Sequence, residues 1–338
     1  MSKKHVFLCL SLDVEEEGLF RSSYALDTAP VSNLQHLRRL RPLCELGAQP
    51  TLFCAYPVLK DDTAWRYIEE FAGEHTLEIG AHMHHWNTPP GQYKTGTDHV
   101  SSVPASLLGD DVFSAKLESI LSLCRERTGR RPVSFRMGRW DLHAGHWPLL
   151  AKAGLTCDAS VRPLHMGSTP LQGPDHYTAP QTTPYTVSTG YGPVFEVPLT
   201  VTSLSPLISR SLQKLGNKKA ASSLQHWGAL ALLPVYHPLW AMKAVTSLSI
   251  ARGNDVLSLT WHSSEMMPGG NPHMPDDKSI DAFMAKCHAY LAWLMDTYDV
   301  TFATMDGLRQ IKQASCPVLN KTGCDWTCPA PQNEQSHQ

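Results

Sequence analysis

Three imidazoles fall within four residues in Glu78-Ile79-Gly80-Ala81-His82-Met83-His84-His85-Trp86, directly after a short apolar run. Imidazole is the commonest side-chain metal ligand. In extended backbone, residues two apart point to one side, so His82 and His84 can close on a single ion while His85 faces away. In a helical turn His82 and His85 become the pair instead. Two imidazoles leave a catalytic metal site short of its usual three protein ligands, so a carboxylate is expected from elsewhere.

Carboxylates follow the first apolar run, His5 to Leu12, as Asp13-Val14-Glu15-Glu16-Glu17. Asp13 and Glu15 share a side if the chain stays extended, and one can supply the missing ligand while the other serves as a base. Glu16 and Glu17 read as a solvated acidic loop. Two more strand-like runs end in polar residues: Pro132 to Phe135 leads into Arg136-Met-Gly-Arg139-Trp140-Asp141, and Asp255 to Thr260 leads into Trp261-His262-Ser263-Ser264-Glu265. An arginine in such a place can hold a carboxylate and keep it ionised. A histidine there can deliver a proton near neutral pH. Asp158 and Glu196 read as supporting partners of the site or as cap and turn residues.

The elements that must position these residues alternate between strand and helix. His5 to Leu12 is nearly unbroken in its apolarity, which suits a parallel strand covered on both faces. Leu34, Leu37, Leu40, Leu43 and Leu46 predict an amphipathic helix over residues 31–46 with Gly47 as its stop. Thr51 to Ala55 is the next strand, Asp61 to Phe71 the next helix, and Thr76 to Gly80 the strand that delivers the histidines. The loop from Pro89 to Gly109 is long enough to form a lid. Phe113, Leu117, Ile120, Leu121 and Cys124 mark another helix, and a short helix over residues 144–153 and a strand at Phe195 to Val197 follow. Residues 203–252 read as a helical insertion, with pieces at Leu204 to Leu215 and Leu239 to Ile250. After the run ending at Thr260 come a helix carrying Ile280 to Tyr298 and a strand at Val300 to Ala303. Repeated strand-then-helix passages predict a wound parallel sheet with its chemistry at the carboxyl ends of the strands.

At 338 residues with 42% hydrophobic and 18% charged residues, the chain has the composition of a soluble globular protein. A formal charge of −2 argues against nucleic-acid or anionic-membrane partners and for a neutral or small-molecule substrate. No apolar stretch approaches a membrane span, and Val6 to Leu12 is too short for a signal peptide, so the expected address is cytoplasmic. Cys9, Cys44, Cys54, Cys124, Cys157 and Cys287 sit in apolar contexts that read as buried thiols. Cys316, Cys324 and Cys328 lie in a polar tail, where with His337 they could make a zinc knot of irregular spacing; a solvated tail is the expectation. Composition and spacing leave the oligomeric state open.

In their order, Ser-Leu-Asp13-Val-Glu15, Gly-Ala-His82-Met-His84, Phe-Arg136-Met-Gly-Arg139-Trp140, Asp158-Ala-Ser-Val and Leu-Thr-Trp-His262-Ser resemble the motifs of the NodB-homology polysaccharide deacetylases, over about residues 5–310. They look most like a divergent branch with an Asp-Val-Glu start and a Gly-Ala-His-x-His-x-Trp signature. The resemblance implies a distorted (β/α) barrel carrying the insertion at about 203–252, formed as a single catalytic domain over 1–313, with 314–338 as a flexible tail. It implies metal-assisted removal of an acetyl group from an amide or ester of an acetylated sugar or small acylated substrate. Asp13 would be the base and Glu15, His82 and His84 the ligands of one divalent ion, zinc first, with cobalt, nickel or iron as alternatives. Arg136 would hold Asp13, and His262 would protonate the leaving amine.

Three departures bear on those roles. Val14 separates the two acids where the family has adjacent aspartates, so Asp13 and Glu15 can exchange. Position 86 is Trp where the family's second histidine is expected, so the second imidazole ligand is His84 or His85. Gly138 and Trp140 replace a proline and an aromatic after the arginine. Trp86, Trp140 and Trp261 flank three motifs and offer faces to a sugar ring, or else pack. Two other classes remain: a non-catalytic sugar- or metal-binding barrel, and a glycosidase using Asp13 and Glu265 without a metal.

Overall fold

The run from His5 forms β1 (His5–Val14), buried from Val6 onward, as its unbroken apolarity requires. This computed structural model describes residues 2–22, 29–91, 104–164, 176, 182–203 and 229–320. The leucines that follow β1 recur every third residue, and the chain answers with a 3-10 helix, Ser32–Leu40, that runs into α1 (Arg41–Glu45). The α-helix expected over residues 31–46 is therefore mostly 3-10, whose three-residue turn stacks Leu34, Leu37, Leu40 and Leu43 on one buried line. Gly47 leaves it at φ +102°, a backbone region open to glycine.

The chain continues through β2 (Thr51–Ala55), α2 (Tyr56–Lys60), α3 (Asp62–Glu74) and β3 (Glu78–Met83), then α4 (Asp110–Thr128), β4 (Ser134–Met137), α5 (Trp147–Lys152) and β5 (Cys157–Asp158). Next are β6 (Tyr185–Thr189), β7 (Gly192–Glu196), β8 (Val201–Ser203), β9 (Ala229–Ala231), α6 (Leu239–Ala251) and β10 (Val256–His262). The last elements are α7 (Asp277–Thr297), β11 (Asp299–Phe302), α8 (Met305–Lys312) and β12 (Val318–Asn320). Asp61 caps α3 by accepting from Ala64 N, and Asp276 caps α7 by accepting from Ser279 N, so both helices start where a short acid precedes an apolar face.

The main sheet runs β10-β1-β2-β3-β4-β5-β7-β6-β12, parallel except where β6 meets β7. β1 pairs with β10 from Phe7↔Val256 to Asp13↔His262, and on its other edge with β11 near its start and β2 near its end. Beyond β7 the chain reaches the free side of β10, where Thr200 N donates to Ser258 O (3.3 Å) and Thr200 Oγ1 accepts from Ser258 N (2.8 Å). The wall thus closes by a few bonds in place of a full ladder. This is an α/β fold with a mainly parallel sheet bent into a distorted barrel.

Two boundaries differ from expectation. The insertion is not purely helical: β8 and β9 form an antiparallel pair beside the barrel, α6 accounts for the second helical piece, and Leu204 to Leu215 lies outside the described residues. The sheet also runs past residue 313, because β12 pairs with β6 at Val318↔Thr186. Cys316, just before β12, packs on the cluster that holds Phe7 and Met305, so an apolar contact anchors this part of the tail. Cys324, Cys328 and His337 lie outside the described residues, as does 92–103 of the expected lid. Cys9, Cys54, Cys124, Cys157 and Cys287 are buried free thiols, with Cys44 partly exposed. Among the described residues no helix is long and apolar enough to cross a membrane.

Candidate active site

The parallel register brings the polar strand ends to one rim. Asp13 lies opposite His262, Ala55 opposite His82, and His82 opposite Arg136. Glu15 continues the extended line of β1 and is fixed on both sides of its peptide: its N–H donates to Ser263 Oγ (3.1 Å) and its carbonyl accepts from Asn33 Nδ2 (2.9 Å).

Glu15, His82 and His84 converge, all buried. The two Nε2 atoms are 3.0 Å apart, and Glu15 Oε2 is 3.3 Å from that of His82 and 3.2 Å from that of His84. The opposite ring nitrogens decide what faces inward. His82 Nδ1 lies 3.0 Å from the Arg136 carbonyl and His84 Nδ1 lies 2.9 Å from Glu16 Oε1, partners that take a proton from nitrogen. Both Nε2 atoms then face the same point as a carboxylate oxygen. Three such ligand atoms meeting at one point fit a cation, which would take the place of the protons there, and two imidazoles with one carboxylate form a ligand set found in catalytic zinc sites.

Charge agrees with that fit. Burial by itself would lower His84, yet Glu16 and then Glu15 raise its pKa to about 10. Carboxylates on both sides of the His84 ring, Glu16 at Nδ1 and Glu15 at Nε2, favour positive charge here. Burial would likewise raise Glu15, but the charge of His262 and the hydrogen bonds of His82 and His84 hold it far below the usual carboxylate range.

Asp13 and His262 stand beside this group. Arg136 Nη1 donates to Asp13 Oδ1 at 2.6 Å and to Thr260 Oγ1 at 2.9 Å, Nη2 donates to Ser11 Oγ at 2.9 Å, and Nε donates to Ala159 O at 2.9 Å. The guanidinium also lies over the Phe53 ring, 4.4 Å from its centroid. Burial tends to raise Asp13, and Arg136, His82 and His262 outweigh it, so its pKa falls below the ordinary value. The other Asp13 oxygen is 3.8 Å from His262 Nε2. Burial would lower His262, but Glu15, Glu265 and Asp13 raise it to about 10.

Several expectations change here. Glu16 is not solvated: it is fully buried, holds His84 Nδ1 and accepts from Asn87 Nδ2 at 2.6 Å. Strand alternation carried one residue further would have found it, because Glu16 shares the side of the buried Val14. Glu17 accepts from Ser32 Oγ and Asn33 N, and so fastens the 3-10 helix. His85 is buried edge-on to Trp86, outside the converging group. Trp86 and Trp261 are each 1% exposed: Trp86 stacks on His84 at 4.3 Å, and Trp261 meets Phe283 edge-on at 5.6 Å. Both are packed against protein, which leaves Trp140 as the partly exposed tryptophan of the three, 5.1 Å from Arg136 and against the apolar cluster of Leu199 and Val201. Gly138 also has a reason, since a Cβ there would sit 2.2 Å from His84 Cδ2. Arg139 and Trp140 follow it with φ of +58°, strain placed beside the site. Asp158 and Glu196 form a buried carboxyl pair on neighbouring strands, braced by Trp147 Nε1, Ser160 Oγ and Val161 N.

Glu16→Gln keeps the shape but weakens the hold on His84 Nδ1, so metal affinity is expected to fall by about 10–100-fold, the usual effect of removing such a partner. Competitive titration with a chromophoric chelator measures it, and unchanged affinity would show that Glu16 does not orient the ligand.

No protein-family model matches the chain, and no curated protein sequence matches it. Solved structures do. A protein of Mycobacterium smegmatis designated a polysaccharide deacetylase shares 16% identity over 94% of both chains, with a TM-score of 0.55. The PuuE allantoinase shares 14% over 92% of this chain and 91% of its own, with a TM-score of 0.53. A 4-alpha-glucanotransferase of Thermococcus litoralis shares 9% over 94% of this chain but 42% of its own, with a TM-score of 0.54. Identities this low speak for the fold alone, and the three proteins carry three different activities in their names.

Proposed function

We propose that this chain is a metal-dependent hydrolase of carbon–nitrogen bonds other than peptide bonds, one that removes an acetyl group from an acylated amine of a carbohydrate or a related small molecule, and from esters as a lesser activity. The observation that carries the reading is the convergence of Glu15, His82 and His84 beside an Asp13 paired with Arg136 and a His262 whose Nε2 lies 3.8 Å from that aspartate. A divalent ion, zinc by the donor set, supplies Lewis-acid polarisation of the acyl carbonyl when bound.

The chain's own residues do the rest. Asp13, kept ionised by Arg136, takes a proton from the water whose oxygen bonds to the acyl carbon. His262 Nε2 gives a proton to the amine nitrogen as the carbon–nitrogen bond breaks, so that acetate and a neutral amine leave. Trp140 supplies a partly exposed aromatic wall for the sugar ring.

The glycosidase alternative fits less well, because Glu265 is buried with its oxygens taken up by His262 and Asn271. A non-catalytic barrel would have no use for a paired base and a charged imidazole beside the metal ligands.

Purified protein is expected to hold about one divalent ion per chain, to release acetate from acetylated sugars, and to stop when a chelator removes the ion. His82→Ala should empty the site. Elemental analysis and acetate release test both: full occupancy in His82→Ala would remove the ligand assignment, and chelator-insensitive release would remove the metal from the reaction.

A further inference from the structure

The proton donor of the proposed reaction must present Nε2 to the substrate, which requires that its other ring nitrogen be held. β5 offers Asp158 at the same rim, but that carboxylate is occupied by Trp147 Nε1 and Ser160 Oγ and is paired with Glu196. The residue that does reach His262 is three positions further along its own turn. Glu265 Oε2 accepts from His262 N at 2.8 Å and lies 3.1 Å from His262 Nδ1, and Glu265 Oε1 accepts from Asn271 Nδ2 at 2.8 Å.

We infer that Glu265 is the positioning residue for His262, and that the turn from Met267 to Met274 is folded to hold Glu265 in that office through Asn271. The turn is built for close approach. A Cβ on Gly270 would lie 1.9 Å from Ser264 O, so only glycine allows the loop to come down on the carboxylate. Gly269 N donates to Met274 O at 2.7 Å, and Asn271 bridges to Met274, which closes the loop around the asparagine. Glu265 is 1% exposed and Asn271 1% exposed, so neither is available to solvent as a surface pair. Their geometry fixes Nδ1–H on the Glu265 side and leaves Nε2 directed at Asp13 and the space beside it. A charged carboxylate at this place also stabilises the imidazolium until its proton is passed to the amine.

This inference rests on the reading of His262 as proton donor, and the two can fail separately. In zinc-loaded full-length protein, Glu265→Gln is expected to keep its zinc and its KM for N-acetylglucosamine oligomers. Its turnover on them should fall about a hundredfold, the scale of lost general acid catalysis, while 4-nitrophenyl acetate, whose leaving group needs no proton, is hardly slowed. Asn271→Ser, which leaves the carboxylate but frees it, should give a smaller loss with the same preference for the amide. Nitrogen-15 side-chain spectra of His262 should show the proton on Nδ1 in the unchanged chain and a changed signal in Glu265→Gln. An equal loss on amide and ester, or a His262 signal indifferent to Glu265, would overturn the assignment. If the unchanged protein releases no acetate, the functional reading fails, and the nitrogen-15 signal still decides the Glu265 assignment.

Discussion

Asp13→Asn is expected to retain its metal and to lower acetate release by about a hundredfold or more, the scale on which general base catalysis operates. Asparagine has nearly the same shape, and its carbonyl oxygen can still accept from Arg136 Nη1, which keeps further acceptors in Ser11, Thr260 and Ala159. What the amide cannot do is take a proton from water. Glu15→Gln should fail differently, because it exchanges one of three converging donors for a weak neutral ligand and so empties the site. Metal analysis beside turnover separates the two. Loss of the ion in Asp13→Asn, with Glu15→Gln retaining it and losing only turnover, would mean that the two acids have exchanged roles.

How much of this was readable before the fold was known depends on which force fixes each residue. The staves of the barrel announce themselves because burial on both faces demands unbroken apolar runs, and β1 and β10 have them. Polar residues at the ends of such runs are equally visible, and the parallel register then brings Asp13, His82, Arg136 and His262 to one rim. Residues whose role is to touch another residue are less legible. Glu16 lies in a run of three acids that composition would leave in water, and its burial is explained by partners far along the chain, His84 Nδ1, 68 positions away, and Asn87 Nδ2. Trp86 and Trp261 look like sugar platforms by position, yet Trp86 is stacked on His84 and Trp261 is packed edge-on to Phe283. The strand β12 gives no periodic signal in three residues; the edge of β6, far away in sequence, makes it a strand.

Arg136→Met is expected to destabilise the zinc-loaded chain by about 3–5 kcal/mol, the usual cost when one member of a buried ion pair is left behind. Methionine can fill much of the space between Phe53 and Trp140, so the loss would come from charge and hydrogen bonding more than from a cavity. Asp13 would lose its closest cation, and Ser11, Thr260 and Ala159 would each lose a donor in a place water does not reach. Removing both charges tests the cause. Arg136→Met combined with Asp13→Asn should be more stable than Arg136→Met alone, because the uncompensated carboxylate is gone, and the two changes should be non-additive. Urea unfolding of the four proteins gives the comparison. A loss below about 1 kcal/mol in the single variant, within the range of ordinary substitutions, would mean that His262 and the cation already balance Asp13 without the arginine.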